Sequence, residues 1–312
     1  MAHFEFTDPS RPIKIGAWHR FRGELRIRLH RLLPVKRQIA FYMRWRRLRR
    51  LDPPLSRDRE TALGRLMGCQ PGSRDLERLS RLSRIIGEIG RNSYAPVSGR
   101  SREWLLKTLR PQGLEHLEQA RGQGAIIVGS HVGFHRWVAP VLLQLGYPVR
   151  PTQMKDVPLD GLLLMQRDGL VRQVPRYAVG EERDVYLKRI VDLLKRTAWV
   201  QHGGDYPDPE SGVRGELFGA TVRLARAPWV VARLTGAPAI PVITVVQPDM
   251  SVRLVAGEPI YVGRDGPSEE AMQAGVQKYL DFLTDTLGQM RWNFHHGPWS
   301  WWFWAEFPIK MR

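Results

Sequence analysis

Apolar positions recur along this chain with two different periods. Over residues 74–89, Leu76, Leu79, Leu82, Ile85, Ile86 and Ile89 return at three- and four-residue spacing, which predicts an amphipathic helix with one core-facing side. Further on, short continuous apolar runs take over, and 103–109, 125–128, 147–151, 171–174, 198–201 and 239–246 read as strands. Runs without alternation suit strands covered on both faces. Helical patterns separate them at 134–145, 159–168, 181–196 and 226–235, and a long one over 268–290 closes the sheet region. Strand and helix in alternation predict an α/β fold, with a mostly parallel central sheet flanked by helices.

The first hundred residues read differently, as helical and basic. Over 18–33, Arg20, Arg22, Arg26, Arg28 and Arg31 interleave with Phe21, Leu25, Ile27, Leu29, Leu32 and Leu33. After Pro34, residues 35–51 repeat the pattern, with Ile39, Phe41, Tyr42, Met43 and Trp45 among arginines. Such a helix fits the headgroup layer of an anionic membrane, and it also fits a solvated face on a helix packed against a main domain. The stretch 92–99, with Pro96 and Gly99, reads as the junction. The expected organisation is therefore an N-terminal helical, membrane-facing region over 1–100 and an α/β domain over 101–312.

Charge narrows the partners. Lys and Arg number 48 against 31 Asp and Glu, a net +17, on a chain whose 43% hydrophobic content is that of an ordinary folded protein. That excess calls for an anionic partner: a phospholipid surface, an acidic carrier protein or nucleic acid. Nucleic acid ranks last, since no nucleic-acid module and no zinc-ligand spacing is recognisable; no metal or cofactor is expected. The single cysteine, Cys69, excludes an internal disulfide framework and reads as a packing residue. The start, from Met1 to Asp8, lacks the basic-then-apolar pattern of a secretory signal. No uncharged apolar stretch reaches the roughly 20 residues of a spanning helix. Peripheral attachment at the cytoplasmic face of a membrane is the expectation.

Candidate chemistry centres on His131. It follows the apolar run Ala125-Ile126-Ile127-Val128-Gly129-Ser130 and opens Val132-Gly133-Phe134-His135-Arg136-Trp137, so a buried strand presents an imidazole at its carboxyl end, where α/β folds place ligands. Neutral imidazole titrates near the right pH to take a proton from an attacking hydroxyl, and a carboxylate usually orients such a base. His135 reads as a helix-surface neighbour.

Residues 125–137 resemble the first motif of the glycerolipid and lipid A acyltransferases, in which a histidine is followed, after four residues, by an aspartate or glutamate. Gly113-Leu114-Glu115-His116-Leu117-Glu118-Gln119-Ala120 is similar to the short helix before that strand in the lipid A late acyltransferase branch. Phe218-Gly219-Ala220 through Leu224-Ala225, and Leu234-Thr235-Gly236-Ala237-Pro238-Ala239-Ile240-Pro241-Val242, resemble its later blocks. The likeness in order and spacing runs over roughly 103–307. It implies an acyltransferase-like domain over 101–312 that takes a fatty acyl group from an acyl carrier protein or coenzyme A thioester. It departs at Arg136, which stands where the family writes the acid.

The resemblance also implies roles for other residues. Asp205, in His202-Gly203-Gly204-Asp205, resembles an aspartate of the lipid A branch and is the candidate to orient His131 from elsewhere; a turn aspartate is the other reading. Arg167 and Arg172 bracket a strand start where that branch carries an anion-holding arginine. Arg136 and Arg223, with Arg214 behind them, are further candidate substrate-binding cations. The family's glutamate-glycine phosphate motif is missing at Glu216-Leu217-Phe218-Gly219, which argues against glycerol-phosphate acceptors. Backbone amides near the strand end are expected to stabilise an oxyanion. The aromatic tail, Trp292, Phe294, Trp299, Trp301, Trp302, Phe303, Trp304 and Phe307, suits docking on the core, a headgroup layer or an acyl-chain channel. Two functions follow: an acyltransferase at a membrane face, or a catalytically inactive homologue that binds lipid or a partner protein.

Overall fold

The run 125–129 is buried at every position, as a strand with a core on each side requires. In a computed structural model of the chain, the residues described are 57–92, 102–151, 183–205, 208, 211–266, 268–288 and 290–294, with Arg37, Ala40, Phe41 and Arg44 besides. Among them the helices are α1 (Arg57–Met67), α2 (Arg74–Asn92), α3 (Arg102–Leu109), α4 (Leu114–Glu118), α5 (Val138–Gln144), α6 (Arg183–Lys195), α7 (Ala227–Thr235) and α8 (Ser268–Leu287). The strands are β1 (Ala125–Gly129), β2 (Val149–Pro151), β3 (Trp199–Gly203), β4 (Val213–Leu217), β5 (Ala220–Leu224), β6 (Ala239–Val246) and β7 (Val252–Ala256). Short 3-10 turns at His135–Trp137 and Arg291–Asn293 complete the order.

Five strands form one sheet in the order β2-β3-β1-β6-β7. The pairs β2–β3, β3–β1 and β1–β6 are parallel, and β7 adds antiparallel to β6 at one edge. This is the α/β architecture the alternating pattern predicts. Side chains of β1 and β6 divide between two cores: Ile126, Val128, Ala239, Ile243 and Val245 pack with α1, α6, α7, α8 and the β4–β5 hairpin. Ala125, Ile127, Ile240, Val242 and Val246 pack with α2, α3, α4 and α5.

The helix expected over 74–89 is α2. Ser73 Oγ accepts the Leu76 N–H, and Asp75 and Glu77 occupy the first turn, where acidic groups meet the exposed amides. Its apolar stripe is buried at Leu76, Ile85, Ile86 and Ile89, joining both cores. Of the basic stretches 18–33 and 35–51, only Arg37, Ala40, Phe41 and Arg44 are described, all helical and exposed. The expected elements at 159–168 and 171–174 lie outside the described residues.

The run 103–109 is a helix, α3, and not a strand. Glu103 in its first turn and Lys107 in its last complement the helix dipole, Leu is a good helix former, and Leu106 and Leu109 meet the second core one turn apart. The hairpin β4–β5 and strand β7 were not expected from the sequence. In β4 burial alternates strictly, with Val213, Gly215 and Leu217 inward and Arg214 and Glu216 outward. Phe218 and Gly219 turn the chain, both with positive φ, 51 and 79. A primed two-residue turn favours Asn, Asp or Gly first, so a phenylalanine there conceals it. No helix among the described residues is long and apolar enough to cross a membrane.

Candidate active site

Adjacent parallel strands place the two central residues. Gly129 of β1 pairs with Gly203 of β3, and His131 and Asp205 each lie two residues beyond their glycine at the carboxyl end of the sheet. The Gly204 N–H continues the ladder to the Gly129 carbonyl at 2.8 Å. Gly204 is required there: a Cβ would lie 2.3 Å from Val128 Cγ1 and 2.9 Å from Tyr279 Cζ.

Asp205 is the carboxylate that faces His131. His131 Nδ1 lies 3.0 Å from Asp205 Oδ1 and 3.2 Å from Oδ2, the His131 backbone N–H donates to Oδ2 at 2.5 Å, and Ser130 Oγ donates to Oδ2 at 2.9 Å. Burial pushes the Asp205 carboxyl up, but the His131 charge, hydrogen bonds from His131 ring and backbone, and the Ser130 hydroxyl together hold it below its ordinary value. Its contribution to stability is therefore present above the ordinary carboxylate range near pH 4 and lost as pH falls below it. An ionised carboxylate only accepts, so Nδ1 carries the proton and Nε2 of the neutral ring is left as the acceptor nitrogen. The Asp205 side chain is 2% exposed and that of His131 24%, so the carboxylate is enclosed while the imidazole reaches solvent.

A second layer fixes this pair. The Tyr279 hydroxyl, from α8, donates to the Gly129 carbonyl at 3.0 Å. Burial first, then the nearby Asp205 charge, push that hydroxyl well up, so it keeps its proton. On the other side the chain folds back over its own far end. The Gly133 N–H donates to the Asn293 carbonyl at 2.8 Å, Val132 bridges Phe294, and the Phe134 N–H donates to Thr244 Oγ1 at 2.9 Å. Asn293 is fully buried, with Oδ1 accepting the Val246 N–H and Nδ2 donating to the Val246 carbonyl. Phe218 at the hairpin tip meets the Phe294 ring edge-on at 5.9 Å and lies under the Arg291 guanidinium at 4.1 Å.

These bonds correct one expectation. The amides of His131, Gly133 and Phe134 are engaged by Asp205, Asn293 and Thr244, so they are not the donors for a developing oxyanion. Those three amides tie the loop to Asp205, Asn293 and Thr244.

Among the other predicted site residues, Arg136 is half-buried in the 3-10 turn His135–Trp137. The carboxylate that meets the imidazole thus comes from the segment just after β3 and not from position 136. Arg223 is exposed on β5, directly across from Arg214. Arg167 and Arg172 lie outside the described residues, as does the aromatic tail beyond Phe294. Cys69 is half-buried, with its thiol directed at the Met67 carbonyl at 3.7 Å. Comparison of the chain with protein-family models and with curated proteins found no match.

Two more imidazoles stand near this edge. The His135 ring centroid is 4.9 Å from that of His131, a proximity that the four-residue step in the sequence signals. His202, the penultimate residue of β3, has Nδ1 at 2.9 Å from the Gly203 carbonyl. Burial pushes His202 down, outweighing that hydrogen bond. A folded-state value below the ordinary one near 6.5 makes its contribution present above that pH and lost as pH falls through it. Thermal melts of wild type and His202→Gln from pH 7.5 down to 5 are expected to converge, the wild type losing more stability on acidification; parallel curves would contradict the burial of a neutral ring. Among the described residues no cluster of His, Cys, Asp or Glu could hold a metal ion.

Proposed function

We propose that the chain is an acyltransferase of the lipid A late acyltransferase kind, working peripherally at the cytoplasmic face of an anionic membrane. The observation that carries this reading is the His131–Asp205 pair: a partly exposed imidazole with Nδ1 on an enclosed carboxylate, at the carboxyl edge of a parallel sheet. Together with the ordered blocks of residues that resemble that branch, it favours proton abstraction from a hydroxyl or amine.

The reaction balances as follows. Nε2 takes the acceptor proton as the oxygen or nitrogen attacks the thioester carbonyl. The carbon–sulfur bond then breaks, and the leaving thiolate takes that proton back from the imidazolium, which Asp205 stabilises meanwhile. The donor is an acyl carrier protein or coenzyme A thioester and no cofactor is consumed. With three loop amides engaged elsewhere, half-buried Arg136 in the following turn is the candidate to stabilise the developing oxyanion. Arg167 and Arg172 keep their proposed role at an anionic substrate group.

The second reading, a homologue without catalysis, is favoured by Arg136 in place of the family's acid. Purified chain incubated with acyl thioesters and anionic bacterial-type lipids separates the two by release of free thiol. Turnover supports the transferase; none with any donor or acceptor supports binding alone. Asp205→Asn is expected to lower kcat by about 10²–10⁴-fold, because a neutral amide neither fixes the tautomer nor stabilises the imidazolium. An unaffected rate would remove Asp205 from the mechanism.

A further inference from the structure

We infer that Arg214 and Arg223 together form a binding site for a phosphate group on the outer face of the β4–β5 hairpin. The register sets them directly opposite each other. Residues so paired have their Cβ atoms about 5 Å apart on one face of the ribbon. Both are exposed, while their neighbours Val213, Gly215, Val222 and Leu224 are buried. Like charges in that position repel and weaken a hairpin. Nothing among the described residues offsets the repulsion, since neither guanidinium takes part in an ion pair or a side-chain hydrogen bond there.

Among the described residues, the nearby acids form no ion pair with either arginine. Glu216 stands on the same outer face, two residues from Arg214, without an ion pair to either arginine. The Asp208 carboxylate accepts from the Ser211 N–H at 2.9 Å and from the Ser211 hydroxyl.

The platform beneath the pair is fixed. Gly215 lies so close to α8 that a Cβ would meet Leu280 Cδ1 at 2.5 Å and Val276 Cγ1 at 3.0 Å. Gln277 brackets the next residue, its Oε1 accepting the Glu216 N–H at 2.9 Å and its Nε2 donating to the Glu216 carbonyl at 3.2 Å. Two forked cations rising from fixed, opposed backbone positions can both reach the oxygens of one phosphate, and binding turns their repulsion into shared attraction.

The place also fits. The Asp208 N–H donates to the Arg223 carbonyl at 3.1 Å, three residues beyond Asp205, so the hairpin is tied to the chain leaving the His131 pair. The site rests on the acyl-transfer reading only for the bearer of the phosphate: the donor's pantetheine-linked phosphates or an anionic lipid headgroup.

Thermal unfolding of the full chain in rising inorganic phosphate, with ionic strength held constant by chloride, tests the site without turnover. The Tm of wild type is expected to rise, the rise to be lost in Arg223→Gln and in Arg214→Gln/Arg223→Gln, and to survive in Arg74→Gln/Arg78→Gln, which removes equal charge from α2. In chloride alone Arg223→Gln should melt roughly 1–2 °C above wild type, because the repulsion is gone. A phosphate response unchanged in the hairpin variants, or an Arg223→Gln variant less stable in chloride, overturns the site. Coenzyme A and phosphatidylglycerol vesicles, each competed against phosphate, then identify the bearer. Displacement by neither breaks the link to acyl transfer while the phosphate response still supports the site.

Discussion

Replacing His131 by alanine is expected to lower thioester turnover by about 10²–10⁴-fold, the range that a positioned general base contributes. The loss should fall on kcat with KM little changed, since the ring acts on the acceptor proton and not on the acyl chain. Folding is a separate matter. Asp205 keeps the Ser130 hydroxyl and the backbone N–H of residue 131 in the variant, so its carboxylate is not left bare. His131→Asn supplies a side-chain donor for Asp205 without a base. It is expected to lose the rate equally and to retain more stability, so the pair of variants separates chemistry from packing. Wild-type rates in either would exclude His131 from the reaction.

The second large effect is structural. Gly133 has φ of 51, and a Cβ there would lie 2.0 Å from the Thr244 carbonyl oxygen and 2.9 Å from its carbon. Both are backbone atoms of the buried strand β6, so no rotamer relieves the clash. Gly133→Ala is expected to cost about 3 kcal/mol or more, the sum of overpacking and left-handed strain. The change also separates the Gly133 N–H from Asn293 and the Phe134 N–H from Thr244, loosening the loop that carries His131. Gly122→Ala is the control: its φ is 86, with nothing within 4 Å of the added atom. That variant bears the conformational term alone, about 1–2 kcal/mol. Urea denaturation should show the lower midpoint for Gly133→Ala; equal midpoints would contradict the loop's path against β6.

The sequence made the centre of the fold legible because the parallel strands are apolar on both faces. The runs at 125–128, 198–201 and 239–246 became β1, β3 and β6 with boundaries shifted by at most two residues. The run 103–109 misled because a short apolar stretch has no clear period, and only its flanking Glu103 and Lys107 mark it as helical. The hairpin and β7 escaped for another reason. Their alternation is short, Gly215 interrupts one strand, and Phe218 occupies a turn position where the usual residues are absent.

At the candidate site, the imidazole was visible as the end of a strand, and Asp205 as a carboxylate after another. That the two meet depends on β1 and β3 being neighbours in matching register, which no local pattern encodes. The capture of the loop amides by Asn293 and Thr244 was likewise hidden, since it joins residues more than a hundred positions apart. The cross-strand arginines were legible as two charges but not as a pair.

The central claim is that Asp205 holds the Nδ1 proton of His131 and leaves Nε2 as the base. Long-range nitrogen–proton NMR of the histidine rings, recorded at a pH where His131 is neutral, reads this directly. The account predicts a His131 ring protonated at Nδ1, with that tautomer weakened in Asp205→Asn. A ring protonated at Nε2 in the wild type, or one that Asp205→Asn leaves unchanged, would contradict it.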